Sequence, residues 1–372
     1  MNTLIQHDFP IITDLHSLFT HDTALLDVRA AIEYQQGAFP HTTNVPLLNN
    51  KQRHEIGICY KEQGQDAAIL LGKRLLTPEK RQRRITNWQQ FIQSNPEGAL
   101  YCFRGGMRSK ISQTWIKEQT GIAYPRVEGG YKAMRRYLIE QSERLIKSAT
   151  FIIIGGRTGS GKTRVLKQFD NMIDLEGLAN HRGSAFGAYA TPQPTQINFE
   201  NNLAIELLKR EELKGRPIVL EDEGRNIGTC HLPINLQQKM VMSPIVQIEV
   251  SNEERLQLSI QEYAIDMLQD FKQVYGEEQG FAYYKTRILT NLGKIQKRLG
   301  GERYNLLKNQ VEQALIVHEK TGDAEAHAGW VHALLMEYYD PMYDYQLSKK
   351  MDRVVFRGKR AEVIEYLRFS PS

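Results

Sequence analysis

The sequence predicts an α/β protein with two parallel-sheet domains followed by a helical part. Short apolar segments alternate with loops and helix-forming stretches, which is the pattern of a parallel sheet flanked by helices. This pattern occurs twice, and a glycine-rich turn opens the second occurrence. We place a first domain at residues 1–133, a linking helix at 134–149, a second domain at 150–251 and a mostly helical C-terminal region at 252–372.

The composition is that of an ordinary globular protein, since the 372 residues are 41% hydrophobic and 24% charged. No apolar run approaches the roughly 20 residues of a membrane-spanning helix. Residues 1–10 lack the basic start and the apolar core of a secretory signal. Three cysteines argue against a disulfide framework and favour a reducing compartment. We therefore expect a cytoplasmic protein that has no membrane partner.

Positive charge is concentrated in one part of the chain. Residues 51–136 hold 17 Lys/Arg and 7 Asp/Glu, a local charge of +10 (17 − 7), whereas residues 1–50 hold one basic residue and five acidic ones. The densest parts are 73–74 and 80–84. A solvated helix face or a polyanionic partner would each explain such a run.

The first domain is predicted to contain three short strands separated by helices. The helical stretch 65–94 has a break at Thr77-Pro78, because proline commonly opens a new helix. The helix at 133–148 bridges the two halves of the chain. The predicted strands are 24–28, 99–102 and 124–127, and the other predicted helices are 30–36 and 111–119.

Cys102 ends the second of these strands and is followed by a loop with two glycines and two arginines. Such a loop points backbone N–H groups at the sulfur and adds positive charge, which stabilises a thiolate over a thiol. We therefore predict a nucleophile, although a lone cysteine can also be a small, inert core residue. Cys59 and Cys230 lack these surroundings and are interpreted as structural. The predicted site residues around Cys102 are Arg104, Gly105, Gly106 and Arg108.

The second domain opens with an apolar strand, a glycine-rich turn and a helix start. The turn matches G-x-x-x-x-G-K-[ST], in which backbone N–H groups and the positive end of the helix surround a phosphate. Lys162 adds a point charge, and Thr163 offers a hydroxyl to magnesium. The pattern predicts diphosphate binding without selecting a nucleotide base. The predicted binding residues are Gly156, Arg157, Thr158, Gly159, Ser160, Gly161, Lys162 and Thr163.

Four acidic residues are candidates for magnesium or substrate contacts. Residues 172–187 are predicted to begin as a strand, which puts Asp174 and Glu176 on one strand face. A buried strand at 217–223 ends in acids, and in P-loop proteins such a strand supplies a carboxylate to magnesium. Either Glu221 or Asp222 fills that role here, and a charged surface turn is the alternative.

The remaining chain is predicted to be helical at 197–213 and 252–275, with a strand at 244–250 between them and mostly helical structure afterwards. Basic clusters occur at 285–303 and 349–360. Three histidines, His181, His327 and His332, show no metal-ligand spacing with cysteines. No structural metal site is predicted.

Several stretches of the first domain match a known signature. They are Leu26-Asp-Val-Arg29, Glu33-Tyr34, Gly37, Pro40, Asn44-Val-Pro46, the Cys102 loop and Val127-Glu-Gly-Gly130. Together they resemble the rhodanese domains, with Cys102 at the place of the sulfur-carrying cysteine. The usual rhodanese loop reads C-x-x-G-x-R-S, whereas Cys102 and Arg108 are spaced as C-x5-R. That is also the spacing of cysteine phosphatases with a related fold. The longer loop disfavours simple sulfur transfer and fits a tetrahedral, phosphate-bearing donor.

A rhodanese-like domain ahead of a P-loop domain that contains Asp174–Ser184 resembles the bacterial tRNA 2-selenouridine synthases over nearly the full chain. The resemblance implies a transferase that acts on wobble 2-thiouridine of tRNA in two steps. Geranyl diphosphate first alkylates the sulfur, and selenium from selenophosphate then replaces the geranylated sulfur. The resemblance also implies tRNA as partner, a selenophosphate-producing enzyme as a candidate second partner, and no tightly bound cofactor apart from magnesium as a candidate ion.

The same resemblance implies roles for the two loops. Cys102 would take selenium as a Cys–S–Se adduct, while Arg104, Arg108 and the loop amides hold selenophosphate. Lys162 would neutralise charge as the C–O bond of geranyl diphosphate breaks. Two other functions stay compatible with the residues: an ATP- or GTP-dependent tRNA sulfurtransferase, and a non-catalytic tRNA-binding or redox-sensing protein.

Overall fold

A computed structural model describes residues 9–213 and 215–369 of the chain. The expectation about a secretory signal falls mostly on residues 1–8, which lie outside the described residues. The described chain forms two compact units, the first within 1–144 together with 200–209, and the second within 145–199 and 210–372. In the described ranges, no helix combines the length and apolar character needed to cross a bilayer.

The first unit contains a five-stranded, all-parallel sheet in the order β1-β5-β4-β2-β3. Its central strands β2 and β4 are wholly buried, as expected for parallel strands covered on both faces. Its elements are β1 (Ile11–Ile12), α1 (Leu15–Thr20), β2 (Leu25–Asp27), α2 (Ala31–Gln36), β3 (Thr42–Asn44), α3 (Asn50–Leu75), α4 (Pro78–Ser94), β4 (Ala99–Tyr101), α5 (Met107–Thr120), β5 (Arg126–Val127) and α6 (Gly130–Ser148).

The second unit contains a four-stranded parallel sheet in the order β11-β10-β6-β7. Residues 200–209 of α9 cluster with the first unit. The elements up to the last central strand are β6 (Phe151–Gly155), α7 (Lys162–Leu166), α8 (Leu175–Ala179), α9 (Gln196–Glu211), β7 (Ile218–Glu221), β8 (Asn226–Ile227), β9 (Cys230–His231), α10 (Ile234–Met242) and β10 (Ile245–Ile248).

Helices dominate the C-terminal region, and they enclose a separate apolar core that includes Phe271, Tyr284, Ile288 and Leu292. Two segments of π-helix, at Gln261–Asp266 and Leu334–Tyr339, continue the neighbouring helices. The elements are α11 (Asn252–Ile260), α12 (Met267–Tyr275), α13 (Glu277–Leu299), α14 (Gly301–Thr321), α15 (Ala328–Ala333), α16 (Asp340–Ser348), β11 (Val354–Gly358) and α17 (Arg360–Phe369), with 3-10 turns at Ala324–His327 and Met351–Arg353.

The predicted α/β class with parallel sheets is confirmed. The first sheet contains two strands, β1 and β3, besides the three that were predicted, and two other local predictions are wrong. Met172 forms a single parallel bridge with Val219 of β7. The strand does not continue to 174–176, because Asp174 caps the N-terminus of α8 by accepting a hydrogen bond from the Gly177 amide. Asp174 and Glu176 therefore do not share a strand face. The second difference is β11, an edge strand in a region predicted to be helical. Its short Val-Val-Phe core pairs in parallel with β10, a contact between distant parts of the chain.

Candidate functional site

The cysteine loop, residues 102–106, lies between β4 and α5 at the carboxyl end of the first sheet, where open α/β sheets place their ligands. Cys102 is only 3% exposed, and its Sγ lies 3.2 Å from the Ser109 hydroxyl. That hydroxyl also lies 3.0 Å from the Gly106 carbonyl oxygen, to which it donates. If the cysteine ionised, the same hydroxyl would be placed to turn and donate to the sulfur.

The segment that closes the first domain, 127–130, packs directly against the cysteine loop. The Tyr131 amide donates to the Cys102 carbonyl at 2.9 Å, and the Lys132 amide donates to the Phe103 carbonyl at 3.0 Å. Gly130 has φ +58°, and a Cβ there would overlap the Cys102 carbonyl oxygen. Only glycine fits this crossing. The cysteine loop and the closing segment are thus one physical unit, in which the second fixes the backbone of the first.

The two arginines of the loop have different surroundings. Arg108 forms a bidentate pair with Glu33, at 2.6 and 3.1 Å, so its charge is already matched within the domain. Burial alone would raise the pKa of Glu33, but the hydrogen bonds and charge of Arg108 outweigh it and hold that pKa below its ordinary value. Arg104 is exposed at the surface of the loop. Of the two, Arg104 is therefore the one whose guanidinium faces solvent and is accessible to an anion.

All three cysteines are buried, so burial does not distinguish them. Cys59 lies within α3. Burial raises the pKa of the Cys230 thiol, whose Sγ lies 3.7 Å from the Gln193 side-chain amide and 3.8 Å from the Pro194 carbonyl oxygen. Cys102 alone of the three follows a strand and faces a glycine loop with a neighbouring hydroxyl.

The phosphate-binding loop, residues 156–161, joins β6 to α7 in the second unit, as the motif requires. At three positions of the loop, a cationic side chain donates a hydrogen bond to the backbone carbonyl oxygen. Because these carbonyl groups are engaged from outside, the backbone N–H groups are favoured to point toward the interior of the loop. These contacts are Lys162 Nζ to the Gly156 carbonyl (3.1 Å), Arg255 Nε to the Thr158 carbonyl (3.0 Å) and Arg360 Nε to the Ser160 carbonyl (2.8 Å).

Two of these donors come from the C-terminal region and were not predicted as site residues. Arg255 is 1% exposed and forms a bidentate pair with Asp340, at 2.5 and 2.8 Å. The neighbouring Arg157, predicted to bind diphosphate, pairs with Asp344 at 2.6 Å. The helical region therefore holds the outer side of the phosphate-binding loop. No local sequence pattern signals these contacts, because the partners are separated by up to 200 positions of chain.

A carboxylate cluster, defined as Glu176, Glu221 and Glu223, lies beside the inner end of the loop. The Thr163 hydroxyl donates to Glu176 Oε2 at 3.4 Å, and the Glu176 amide donates to Glu221 Oε1 at 3.0 Å. The carboxyl groups of Glu176 and Glu223 interact with each other, and this contact contributes to the pKa of each. Both carboxylates also face Gly183, where any Cβ would collide with them.

The pKa values of all three carboxyl groups in this cluster are raised. Burial, followed by the charge of Glu176, raises the pKa of Glu223 to about 8. Burial also raises the pKa of Glu176 and, together with the charge of Asp174, raises that of Glu221 well above its ordinary value. Buried carboxylates close together resist ionisation unless a cation neutralises them. The cluster is therefore suited to hold either a proton or a cation.

The other predicted acids are engaged elsewhere. Asp222 pairs with Lys350 at 2.7 Å, and Asp174, besides capping α8, lies 3.4 Å from Lys167 Nζ. Glu223 was missed by the sequence reasoning, although it follows the same strand two residues after Glu221. Within residues 9–213 and 215–369, no set of three or more His, Cys, Asp or Glu side chains is arranged to hold a metal ion by itself. A cation beside the loop would therefore need phosphate oxygens or water as further ligands.

The basic run near residues 73–84 divides between structure and surface. Arg84 is buried and donates to the Leu47 carbonyl and to Gln52. Arg81 lies over the Trp115 ring at 4.7 Å and pairs with Glu118. Arg74 is exposed on α3. Part of this charge therefore serves the fold of the first unit, and the rest is a solvated face.

Comparison with known proteins identifies relatives over nearly the whole chain. The family model described as "tRNA 2-selenouridine synthase AAA domain" matches residues 149–371. A protein from Pseudomonas paraeruginosa named tRNA 2-selenouridine synthase is 50% identical to this chain over 351 residues (94% of this chain, 95% of the relative). The relative from Bordetella bronchiseptica is 48% identical over 355 residues (95% and 96%), and that from Marinobacter nauticus is 48% identical over 359 residues (96% and 98%).

Proposed function

The chain belongs to the tRNA 2-selenouridine synthase family, and from that premise we propose that it converts wobble 2-thiouridine of tRNA to 2-selenouridine through an S-geranyl intermediate. Geranyl diphosphate and selenophosphate are the two donors in this proposal. The observation that carries it is the presence of two different reaction loops in one chain. The first is the cysteine loop, and the second is the phosphate-binding loop, which lies beside buried carboxylates.

In the first step, the phosphate-binding loop holds the diphosphate of the prenyl donor. The sulfur of 2-thiouridine forms a bond to C1 of the geranyl group as the C–O bond breaks, and diphosphate leaves with the electron pair. The proton on N3 of the base is lost, which keeps the S-alkylated base neutral. Lys162 and the loop amides stabilise the charge that develops on the leaving oxygen. Glu223 is not the acceptor, because a carboxyl with a pKa of about 8 is already protonated near neutral pH. The proton therefore passes to solvent.

Magnesium fits the residues beside this loop. It prefers oxygen ligands, and it is usually held by one or two carboxylates together with phosphate oxygens and water. The Thr163 hydroxyl and the Glu176 carboxylate would hold it, and Glu221 Oε2 is buried without a hydrogen-bond partner among the described residues. When bound, the ion supplies charge neutralisation for a leaving diphosphate.

In the second step, selenium replaces the geranylated sulfur at C2 and geranylthiol leaves, with Cys102 as the nucleophile that opens selenophosphate. Attack at selenium would form Cys–S–Se and expel phosphorus as phosphite, and a further thiol would then have to reduce the S–Se bond. Attack at phosphorus forms a Cys102 thiophosphate ester and frees selenide for C2, after which water releases phosphate. The second route balances without a reductant and suits the C-x5-R loop, so phosphate is the expected product.

Mass spectrometry of nucleosides tests the proposal. A tRNA with wobble 2-thiouridine is incubated with the protein and with geranyl diphosphate, selenophosphate, or both. The expected result is the S-geranyl nucleoside with the first donor alone and 2-selenouridine with both. An unchanged nucleoside under all three conditions would contradict the proposal. ATP and GTP would then be tested as activating substrates.

A further inference from the structure

A cavity of the second unit adjoins the carboxylate cluster. Its volume is about 930 Å³, and Gly183 forms part of its wall. Because Gly183 contacts Glu176 and Glu223, and Glu176 accepts a hydrogen bond from Thr163, the cavity opens beside the inner end of the phosphate-binding loop. A ligand in this cavity would lie next to a diphosphate held by that loop.

Three cations of α13 line the cavity on one helix face. Arg287, Lys294 and Arg298 are separated by seven and four positions, which aligns them along the helix. Among the described residues none of the three is paired with a carboxylate. Lys294 Nζ donates to the side-chain oxygen of Asn291 at 3.0 Å, and the Arg287 guanidinium lies 5.6 Å from the Phe271 ring centroid. Three cations without matching acids around one cavity indicate an anionic ligand.

The rest of the lining supplies aromatic surface and an open hydrogen-bonding position. Four tyrosines contribute, and aromatic rings of this kind stack on bases of single-stranded RNA. The buried Nδ1 of His181 has no hydrogen-bond partner among the described residues. Burial, together with the charges of Lys294, Arg182 and Arg287, lowers the pKa of His181, so that the neutral ring can donate or accept at a base edge. The four tyrosines are Tyr189, Tyr275, Tyr338 and Tyr339.

We propose that this cavity receives the single-stranded nucleotides of the tRNA anticodon loop, including the base to be modified, and that Arg287, Lys294 and Arg298 hold their phosphates. The assignment rests on the proposed function. A prenyl chain is the other candidate occupant, but it carries no charge apart from the diphosphate, which the phosphate-binding loop takes. RNA alone matches both the row of cations and the tyrosines. The base would then present its sulfur beside the diphosphate of the donor.

Binding of a fluorescent anticodon stem-loop with wobble 2-thiouridine, measured by anisotropy over a salt series, tests the assignment. The test variant is Lys294→Ala/Arg298→Ala. The matched control is Lys285→Ala/Lys297→Ala, which removes two charges from the same helix outside the cavity. We expect the test variant to bind about 10-fold more weakly or worse, with its salt slope reduced by about 1.4. The control should keep the wild-type slope and bind within about twofold of wild type.

The outcomes separate this assignment from the proposed function. If the wild type does not bind the thiolated stem-loop, both fall. If the wild type binds but the two double variants behave alike, the cavity assignment alone is wrong. Loss of geranyl diphosphate binding in the test variant, with RNA binding intact, would assign the cavity to the prenyl donor instead. Both side chains of the test variant are exposed, so an unchanged melting temperature is expected to exclude unfolding.

Photocrosslinking provides a second, independent test of the cavity assignment. The same stem-loop with 4-thiouridine at the wobble position is irradiated in complex with the wild-type protein. Crosslinked peptides should contain Tyr275 or come from 181–193 or 338–342, which carry the other three lining tyrosines. Crosslinks found only in other parts of the chain would overturn the assignment.

Discussion

The cysteine loop and the phosphate-binding loop are built alike and differ in how their charges are matched. Each follows a buried parallel strand, turns through glycines and ends at a helix. In the first, Arg108 is paired with Glu33, and Arg29 is paired with Asp27 in the core. In the second, cations hold the outer carbonyl oxygens, while the carboxylates on the inner side have raised pKa values.

This difference indicates two kinds of site. In the cysteine loop Arg108 is matched by Glu33, while Arg104 faces solvent. The reactivity of this loop rests on one sulfur, this exposed cation and the backbone around them. The carboxylate cluster beside the phosphate-binding loop is electrostatically incomplete, because its buried acids favour protonation until a cation neutralises them. Changes at the first should therefore act through one nucleophile or through backbone geometry. Changes at the second should act through charge and depend on pH and magnesium.

The largest expected effect is at the nucleophile. Cys102→Ser should lower selenium incorporation by on the order of 10⁴-fold or more, because a hydroxyl is a far weaker nucleophile than a thiolate. Geranylation should continue, so S-geranyl tRNA should accumulate in nucleoside mass spectra. Cys59→Ser, another buried cysteine in the same unit, is the control and should retain both steps. Selenouridine formed at the wild-type rate by Cys102→Ser would remove this residue from the mechanism.

The next largest effect is expected at Lys162, where a substitution should impair geranylation and leave selenium transfer intact. Lys162→Ala should lower geranylation by about 10²–10³-fold, the usual result of removing one donor to a developing negative charge. Selenium transfer to tRNA that already carries the S-geranyl group should be unaffected, because it uses the cysteine loop. Lys308→Ala, on the surface of α14, is the charge-matched control. If Lys162→Ala slowed both steps equally, the separation of the two loops by function would be wrong.

A smaller effect is expected from the backbone of the cysteine loop. Gly130→Ala places a Cβ against the Cys102 carbonyl at φ +58°, and it should reduce stability by about 2–3 kcal/mol and slow selenium transfer. Gly121→Ala has a similar positive φ, +75°, with nothing within 4 Å of the new Cβ. It should cost only about 1 kcal/mol. Denaturant unfolding measures both, and equal losses would mean that the crossing between the two motifs does not constrain the loop.

Local patterns located both loops, because each depends on a few adjacent residues with a fixed backbone requirement. The strand that precedes the phosphate-binding loop, the turn and the helix start all lie where the motif predicts them. Where two local signals competed, the prediction was wrong. The alternation of Asp174 and Glu176 favoured a strand, but the side chain of Asp174 could cap a helix, and the cap prevailed.

The contacts that complete the sites could not be predicted from local sequence, since they depend on packing between distant segments. Lys350 reaches Asp222 across 128 positions, and this pairing leaves Glu221 and the unpredicted Glu223 as the acids nearest Glu176. The roles of the predicted site residues themselves remain predictions. A basic cluster at 285–303 was visible in the sequence, but only the fold shows which of its members line a cavity.

The smallest expected effect is on the pH dependence of stability, and it tests whether the acids of the carboxylate cluster lack a neutralising cation. The pKa of Glu223 is raised to about 8 in the folded protein, against an ordinary value of 4.5, so the folded state binds more protons than the unfolded state between these values. Stability should therefore fall as pH rises from about 5 to 8, by on the order of 1–3 kcal/mol for this group.

Glu223→Gln should remove that part of the decline, and magnesium should reduce it in the wild type. The measurement is the denaturant midpoint of both proteins at pH 5, 6, 7 and 8, with and without magnesium. Cys102→Ser, measured in parallel, should keep the wild-type pH dependence, because the change lies outside the carboxylate cluster. Parallel curves for wild type and Glu223→Gln would show that the acids near the phosphate-binding loop are neutralised within the fold, which would erase the contrast between the two sites.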